Sequence, residues 1–143
     1  MNAILGISNL GIDTSPFIYF IENNPNYLNK VLPFFISASK SELTIITSTI
    51  TLLEVLVVPY RDNRQDLIVQ YRDILENSDN IHIISVNNEI SILSAQLRAK
   101  YNLKTPDSIQ VATAINSKCS AFLTNDTKLK IISEINILLL DDL

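Results

Sequence analysis

The feature that most limits what this chain can become is an alternation. Short β-type runs at residues 9–13, 43–47, 81–86, 121–124 and 137–140 are separated by longer stretches of helical period. Parallel strands need a crossover between them, usually a helix, so this order predicts an α/β fold with a parallel sheet covered on both faces. The chain has 143 residues, 47% of them hydrophobic, which is one domain's length and enough apolar surface for a core without staples. A single domain over residues 1–143 is the expectation.

The helical stretches carry their own signals. Thr14-Ser15-Pro16 leads into an apolar helix at 17–21, with Pro16 in the first turn, and a second helix follows at 27–37. Ser48 hands the second strand to a helix carrying Thr51 to Leu56, which is expected to stop before Pro59 because proline disfavours helix in the residue before it. Leu67, Ile68, Tyr71, Ile74 and Leu75 form one apolar stripe on the next. A helix at 88–101 ends in a basic turn with Arg98 and Lys100. Thr105 as N-cap, then Pro106 and Asp107, opens another helix to about residue 117, whose small Ala112 and Ala114 predict close packing against a strand, and a short helix is expected after Asp126.

Several function classes fall away. Cys119 is the only cysteine, so no intramolecular disulfide forms, and the first eleven residues lack the basic start and long apolar core of a secretory signal; a cytoplasmic location is expected. The most apolar window, 43–60, is broken by Thr44, Thr47, Ser48, Thr49, Thr51 and Glu54, which argues against a membrane span. His82, the only histidine, lies in an apolar strand and reads as a sheet residue; with Gly6 and Gly11 the only glycines there is no phosphate-cradling loop. A net charge of -4 disfavours wholesale wrapping of nucleic acid, but it leaves room for a nuclease with bound cations and a local basic rim. Arg98, Lys100, Lys104, Lys118, Lys128 and Lys130 are the cations available for such a rim.

The acids are placed more tellingly. In an open parallel sheet, ligands gather outside the carboxyl ends of the strands where strand order reverses. Asp13 closes the first strand and Asp126 follows the fourth, while Glu54 and Asp107 lie in early turns of helices whose starts can face the same rim. Capping a helix start explains Asp13, Asp107 or Asp126 singly, at about 0.5–2 kcal/mol each. Glu54 is different: it is the only charge between Glu42 and Arg61 and stands among Ile50, Leu53, Val55, Val57 and Val58, so it either snorkels outward or meets a cation. Two carboxylates about 4 Å apart repel by roughly 4 kcal/mol at an effective dielectric of 20, so a cluster must take up protons or a hard cation. An all-oxygen site suits magnesium or manganese. Thr14, Ser15, Ser48, Thr124 and Asn125 can orient metal-bound waters or contact phosphate; turn and cap chemistry is the competing reading, strongest for Ser15 and Ser48.

Four segments, Ile12-Asp13-Thr14-Ser15, Thr51-Leu52-Leu53-Glu54, Pro106-Asp107-Ser108-Ile109-Gln110-Val111-Ala112-Thr113-Ala114 and Leu123-Thr124-Asn125-Asp126, resemble the successive motifs of PIN domains in order and spacing. The resemblance covers nearly the whole chain and is closest to VapC-like toxins of toxin–antitoxin pairs. It implies a three-layer α/β/α sandwich with a central parallel sheet, and endoribonuclease activity dependent on Mg2+ or Mn2+. It carries the metal-binding and catalytic acids onto Asp13, Glu54, Asp107 and Asp126, with Thr124 and Thr14 as polar support. RNA as substrate, a small antitoxin as partner and a homodimer are further implications. A PIN module that binds RNA or protein without cutting is the alternative; a phosphatase is disfavoured because Asp13-Thr14-Ser15 lacks an Asp-x-Asp pair.

Overall fold

Successive residues of a strand face opposite sides of a sheet, so a sheet buried on both sides must be apolar at every position. The inner strands meet that condition at their centres, where Leu10, Ile12, Ile45, Ile46, Phe122 and Leu123 are all buried. In the computed structural model, which describes residues 6–143, β1 (Asn9–Ile12), β2 (Thr44–Ser48), β3 (Ile81–Ile84), β4 (Ala121–Thr124) and β5 (Asn136–Leu139) form a parallel sheet in the order β3-β2-β1-β4-β5. The part of the opening segment at residues 1–5 lies outside the described residues.

Leu10, Ile12, Ile45, Ala121 and Leu123 meet one helical layer: α1 (Thr14–Ile21), α2 (Leu28–Ser39), α3 (Thr49–Arg61) and α4 (Gln65–Asn77). Ile46, Phe122, Ile137 and Leu139 point the other way, toward α5 (Asn88–Tyr101) and α6 (Thr105–Asn116). Phe17, Phe34 and Phe122 are all but excluded from water, each contributing about 1.5–3 kcal/mol of hydrophobic stabilisation. The result is the expected α/β/α sandwich. Among the described residues no helix is long and apolar enough to cross a membrane.

The structure differs from the sequence reading in places. Helix α3 does not stop before Pro59 but runs on to Arg61. Pro59 sits in the last turn, where its missing N–H costs a single bond, and the final carbonyls are taken up by Asp62 N–H, which donates to Val58, and Arg64 N–H, which donates to Pro59. Lys104, not Thr105, is the N-cap residue of α6, without a side-chain cap; Thr105 and Pro106 are its first two residues. Strand β3 ends at Ile84, short of Val86, and its His82 lies exposed on an edge strand. The Gly11–Ala114 contact confirms the close packing expected of the small residues of α6: a Cβ added to Gly11 would lie 2.5 Å from that of Ala114.

Candidate functional site

Strand order reverses between β1 and β4: from β1 the chain moves outward through β2 and β3, then returns to β1's other side as β4. Asp13 directly follows β1, and its N–H still donates to Leu123 of β4 at 3.0 Å. Asp126 stands two residues beyond β4. These two acids therefore flank the point where such a sheet opens a crevice.

Asp13 caps α1, its Oδ1 accepting from Thr14 N–H at 2.8 Å, while its Oδ2 accepts from the Thr124 hydroxyl at 2.8 Å. Thr124 is fully buried, and the same hydroxyl accepts from Asp126 N–H at 3.1 Å, so one side chain ties both acids of the crevice together. Loss of water pushes the Asp13 carboxyl up to about 6; its bonds from Thr124 and Thr14 oppose the rise, and the charges of Asp107 and Glu54 add to it. Asp126 caps the 3-10 turn Thr127–Ile131 by accepting from Lys128 N–H at 3.0 Å.

Asp107, in the first turn of α6, accepts no hydrogen bond among the described residues, so capping does not account for it. Burial raises its carboxyl's pKa, the charges of Asp126 and Glu54 raise it further, and Lys104 and Lys128 pull it back. Glu54 is exposed, as are its neighbours Leu53, Val57 and Val58, so an apolar setting is not what distinguishes it. What distinguishes it is aim: Glu54 Oε1 accepts from the Thr14 hydroxyl at 2.7 Å, which turns it toward the residue following Asp13.

Behind Thr14 lies a buried polar network absent from the sequence reading. Gln110, 2% exposed, donates from Nε2 to Thr51 Oγ1 at 2.7 Å and to Thr14 Oγ1 at 3.2 Å. Thr51 and Thr47 hydroxyls are 2.7 Å apart, and Thr47 donates to the Ile12 carbonyl at 2.8 Å. The only advance signal was spacing, since Gln110 lies three residues after Asp107 and so shares its helical face. The network connects β1, β2, α1, α3 and α6, and such a buried set holds its members in fixed rotamers when satisfied.

Of the remaining candidates, Ser48 is the N-cap of α3, accepting from Ile50 N–H at 3.1 Å, which is the cap role. Ser15 makes no side-chain hydrogen bond among the described residues. Asn125 donates to the Tyr19 hydroxyl at 3.3 Å, and its Oδ1 is a buried acceptor with no partner among the described residues. Cys119 is buried, its thiol pushed up to about 12 by loss of water, and is no nucleophile.

The four acids thus share one rim and one another's field, with oxygen donors of the kind hard divalent cations take. They do not form a closed shell: among the described residues no three His, Cys, Asp or Glu side chains stand close enough together to hold an ion. Both oxygens of Asp13 are already engaged by Thr14 and Thr124.

The family model described as PIN domain matches residues 11–135. Solved structures with a similar fold include the VapBC2 complex of Rickettsia felis bound to a DNA fragment from its promoter, at 18% identity and a TM-score of 0.72 over 92% of this chain and 98% of that one. A toxin–antitoxin complex from Klebsiella pneumoniae is similar at 23% identity and a TM-score of 0.68, covering 93% and 98%. The sarcin-ricin loop cleaving toxin VapC20 of Mycobacterium tuberculosis is similar at 13% identity and 0.69, covering 90% and 99%. No curated protein matches the sequence.

Proposed function

Because the chain belongs to the PIN domain family, we propose that it is a single-domain, metal-dependent endoribonuclease, the toxin of a toxin–antitoxin pair acting in the cytoplasm. What supports this reading is that Asp13 and Asp126 flank the point where strand order reverses, and that Asp13 and Asp107 each sense two of the other acids. The same acids would hold magnesium or manganese. An ion there supplies charge stabilisation on the attacked phosphodiester and a water of lowered pKa.

The chain's own residues do the rest. Thr124 fixes Asp13 and the backbone of Asp126 in one arrangement, and Thr14, held by Gln110, fixes one oxygen of Glu54. We assign Glu54 to take the proton from the attacking water, since it is the exposed acid of the four and its second oxygen is left free of protein partners among the described residues.

Two of the similar structures are a VapBC2 complex and a toxin–antitoxin complex, and a small antitoxin is the partner proposed here. Leu53, Val57, Val58 and Tyr60 of α3 expose apolar surface beside Glu54, as a masking partner needs. A homodimer belongs to the same proposal.

The test is cleavage of RNA, with a phosphate monoester as control, in Mg2+, Mn2+ or EDTA. RNA is expected to be cut only with metal, and Asp13→Asn and Asp107→Asn to abolish cutting; full activity in either variant would refute the assignment. Toxicity on expression should disappear with Asp13→Ala.

A further inference from the structure

A chain of net charge -4 with four carboxylates at its rim repels a polyanion until cations intervene. Six basic residues crowd the stretch from 98 to 130, and the structure sorts them. Lys100 pairs with Glu134 at 3.1 Å and Lys130 with Asp142 at 3.0 Å. Arg98 donates to the Leu103 carbonyl at 2.9 Å. Lys118, at the end of the turn after α6, precedes β4 and so stands at the opposite end of the strands from the acids.

Lys104 and Lys128 remain. They come from different elements, the entry to α6 and the turn after β4, yet both line one cleft of about 400 Å3 together with Asp107 and Asp126. Both ammonium groups act on the Asp107 carboxyl, but neither forms a salt bridge with any acid among the described residues. They therefore stand near the acids without a direct ion pair to them. The exposed Ile131 and the half-buried Tyr101 give the same cleft an apolar wall against which a nucleobase can rest.

We propose that Lys104 and Lys128 form a phosphate clamp that holds the RNA backbone beside the attacked phosphodiester, so that single-stranded RNA enters the site through this cleft. The proposal rests on the ribonuclease reading. It adds where the strand lies and which residues grip it. Because ammonium groups meet phosphates as point charges, the clamp reads backbone and not base, and sets affinity more than the rate of the chemical step.

The experiment uses the full chain and a labelled single-stranded RNA. Binding is measured across a KCl series, and cleavage at saturating RNA is measured on the same preparations. Lys104→Ala with Lys128→Ala should weaken binding about tenfold or more. The slope of log affinity against log salt should flatten by about 0.7 if both lysines grip one phosphate, or about 1.4 if each grips its own. Cleavage at saturating RNA should fall less than affinity does, since phosphate contacts position the strand while both lysines also act on the Asp107 carboxyl. Lys104→Arg with Lys128→Arg should restore affinity, and Lys118→Ala should change nothing. Unchanged affinity and slope in the double alanine variant overturn the clamp. If wild type cuts RNA and the double variant binds as well, the clamp fails and the nuclease reading stands. If the lysines govern binding but no metal supports cutting, the clamp stands and the nuclease reading fails. Wild type that neither binds nor cuts RNA overturns both.

Discussion

Gly11 and Ala114 touch without a side chain's width between them: a Cβ on Gly11 would stand 2.5 Å from the Cβ of Ala114 and 3.0 Å from a ring carbon of Phe122. Gly11 lies two residues before Asp13 on β1, and Ala114 lies on the helix that carries Asp107. The contact thus sets how far α6 stands from the sheet, and with it the spacing of two of the acids. Gly11→Ala should force α6 outward and cost about 1–3 kcal/mol, as overpacking of a tight core does. Chemical denaturation checks this; a variant as stable as wild type would mean that α6 is free to shift. Activity should fall further than the lost stability explains.

Gln110 is the next residue to change. Its amide satisfies Thr51 and Thr14 together, so Gln110→Leu, close in size, leaves buried hydroxyls short of a donor at a cost of about 1–3 kcal/mol. Thr14 then loses a fixed position, and Glu54 with it. We expect kcat to drop about tenfold or more while RNA affinity holds, a split that marks loss of positioning. Equal loss in Lys104→Ala and Gln110→Leu, in the same parameter, would contradict the division of labour drawn above.

Thr124→Val deletes a hydroxyl that serves two acids. Asp13 Oδ2 and Asp126 N–H both lose a partner, at about 1–3 kcal/mol for the groups left buried and unmade. The Thr124 bond also holds the Asp13 carboxyl down against burial. Its removal should move the acidic limb of the pH–activity profile to higher pH, whereas Thr124→Ser should leave the profile in place. A limb that stays put in the valine variant would count against Asp13 as an essential ionised group.

The parts of this arrangement that were legible in the sequence are those that depend on neighbours in the chain. Asp13 and Asp126 showed themselves by following apolar runs, because the end of a strand is a local event. Glu54 drew attention as an isolated charge in an apolar stretch, but that stretch is largely exposed, and a contact with Thr14 forty residues away is what gives it direction. Gln110 and Thr51 carry no charge, and their places in two of the PIN-like segments did not mark them as partners; only folding brings residues 59 positions apart into contact. The pairing of Lys104 with Lys128 was hidden for the same reason, among six cations of equal standing until four were seen to be engaged or remote. Pro59 misled because the bias against helix in the residue before a proline is a preference that packing overrides: Val58 stays helical and Pro59 is buried in the last turn.

Asp13 ties stability to pH and to metal. Its carboxyl titrates at about 6 in the fold against an ordinary 3.8, so the folded state holds the proton more tightly than the unfolded chain does. Without a divalent ion, the stability contributed by that proton is fully present below about pH 3.8, declines as pH rises, and is lost above about pH 6. At neutral pH the ionised, poorly hydrated carboxylate then costs about 1–3 kcal/mol. Asp13→Asn keeps an acceptor for Thr14 N–H and removes the charge. In EDTA at pH 7.5 it should melt about 3–10 °C above wild type, with the gap closing as pH falls toward 4. Magnesium should raise the wild-type melting temperature at pH 7.5, raise it less at pH 5 where protons compete for the same oxygens, and do little for Asp13→Asn. Thermal melts of both proteins over that pH range, with and without metal, check every part. A wild type more stable than Asp13→Asn at pH 7.5 in EDTA would show that this carboxylate is well accommodated on its own, and that nothing in its surroundings calls for a cation.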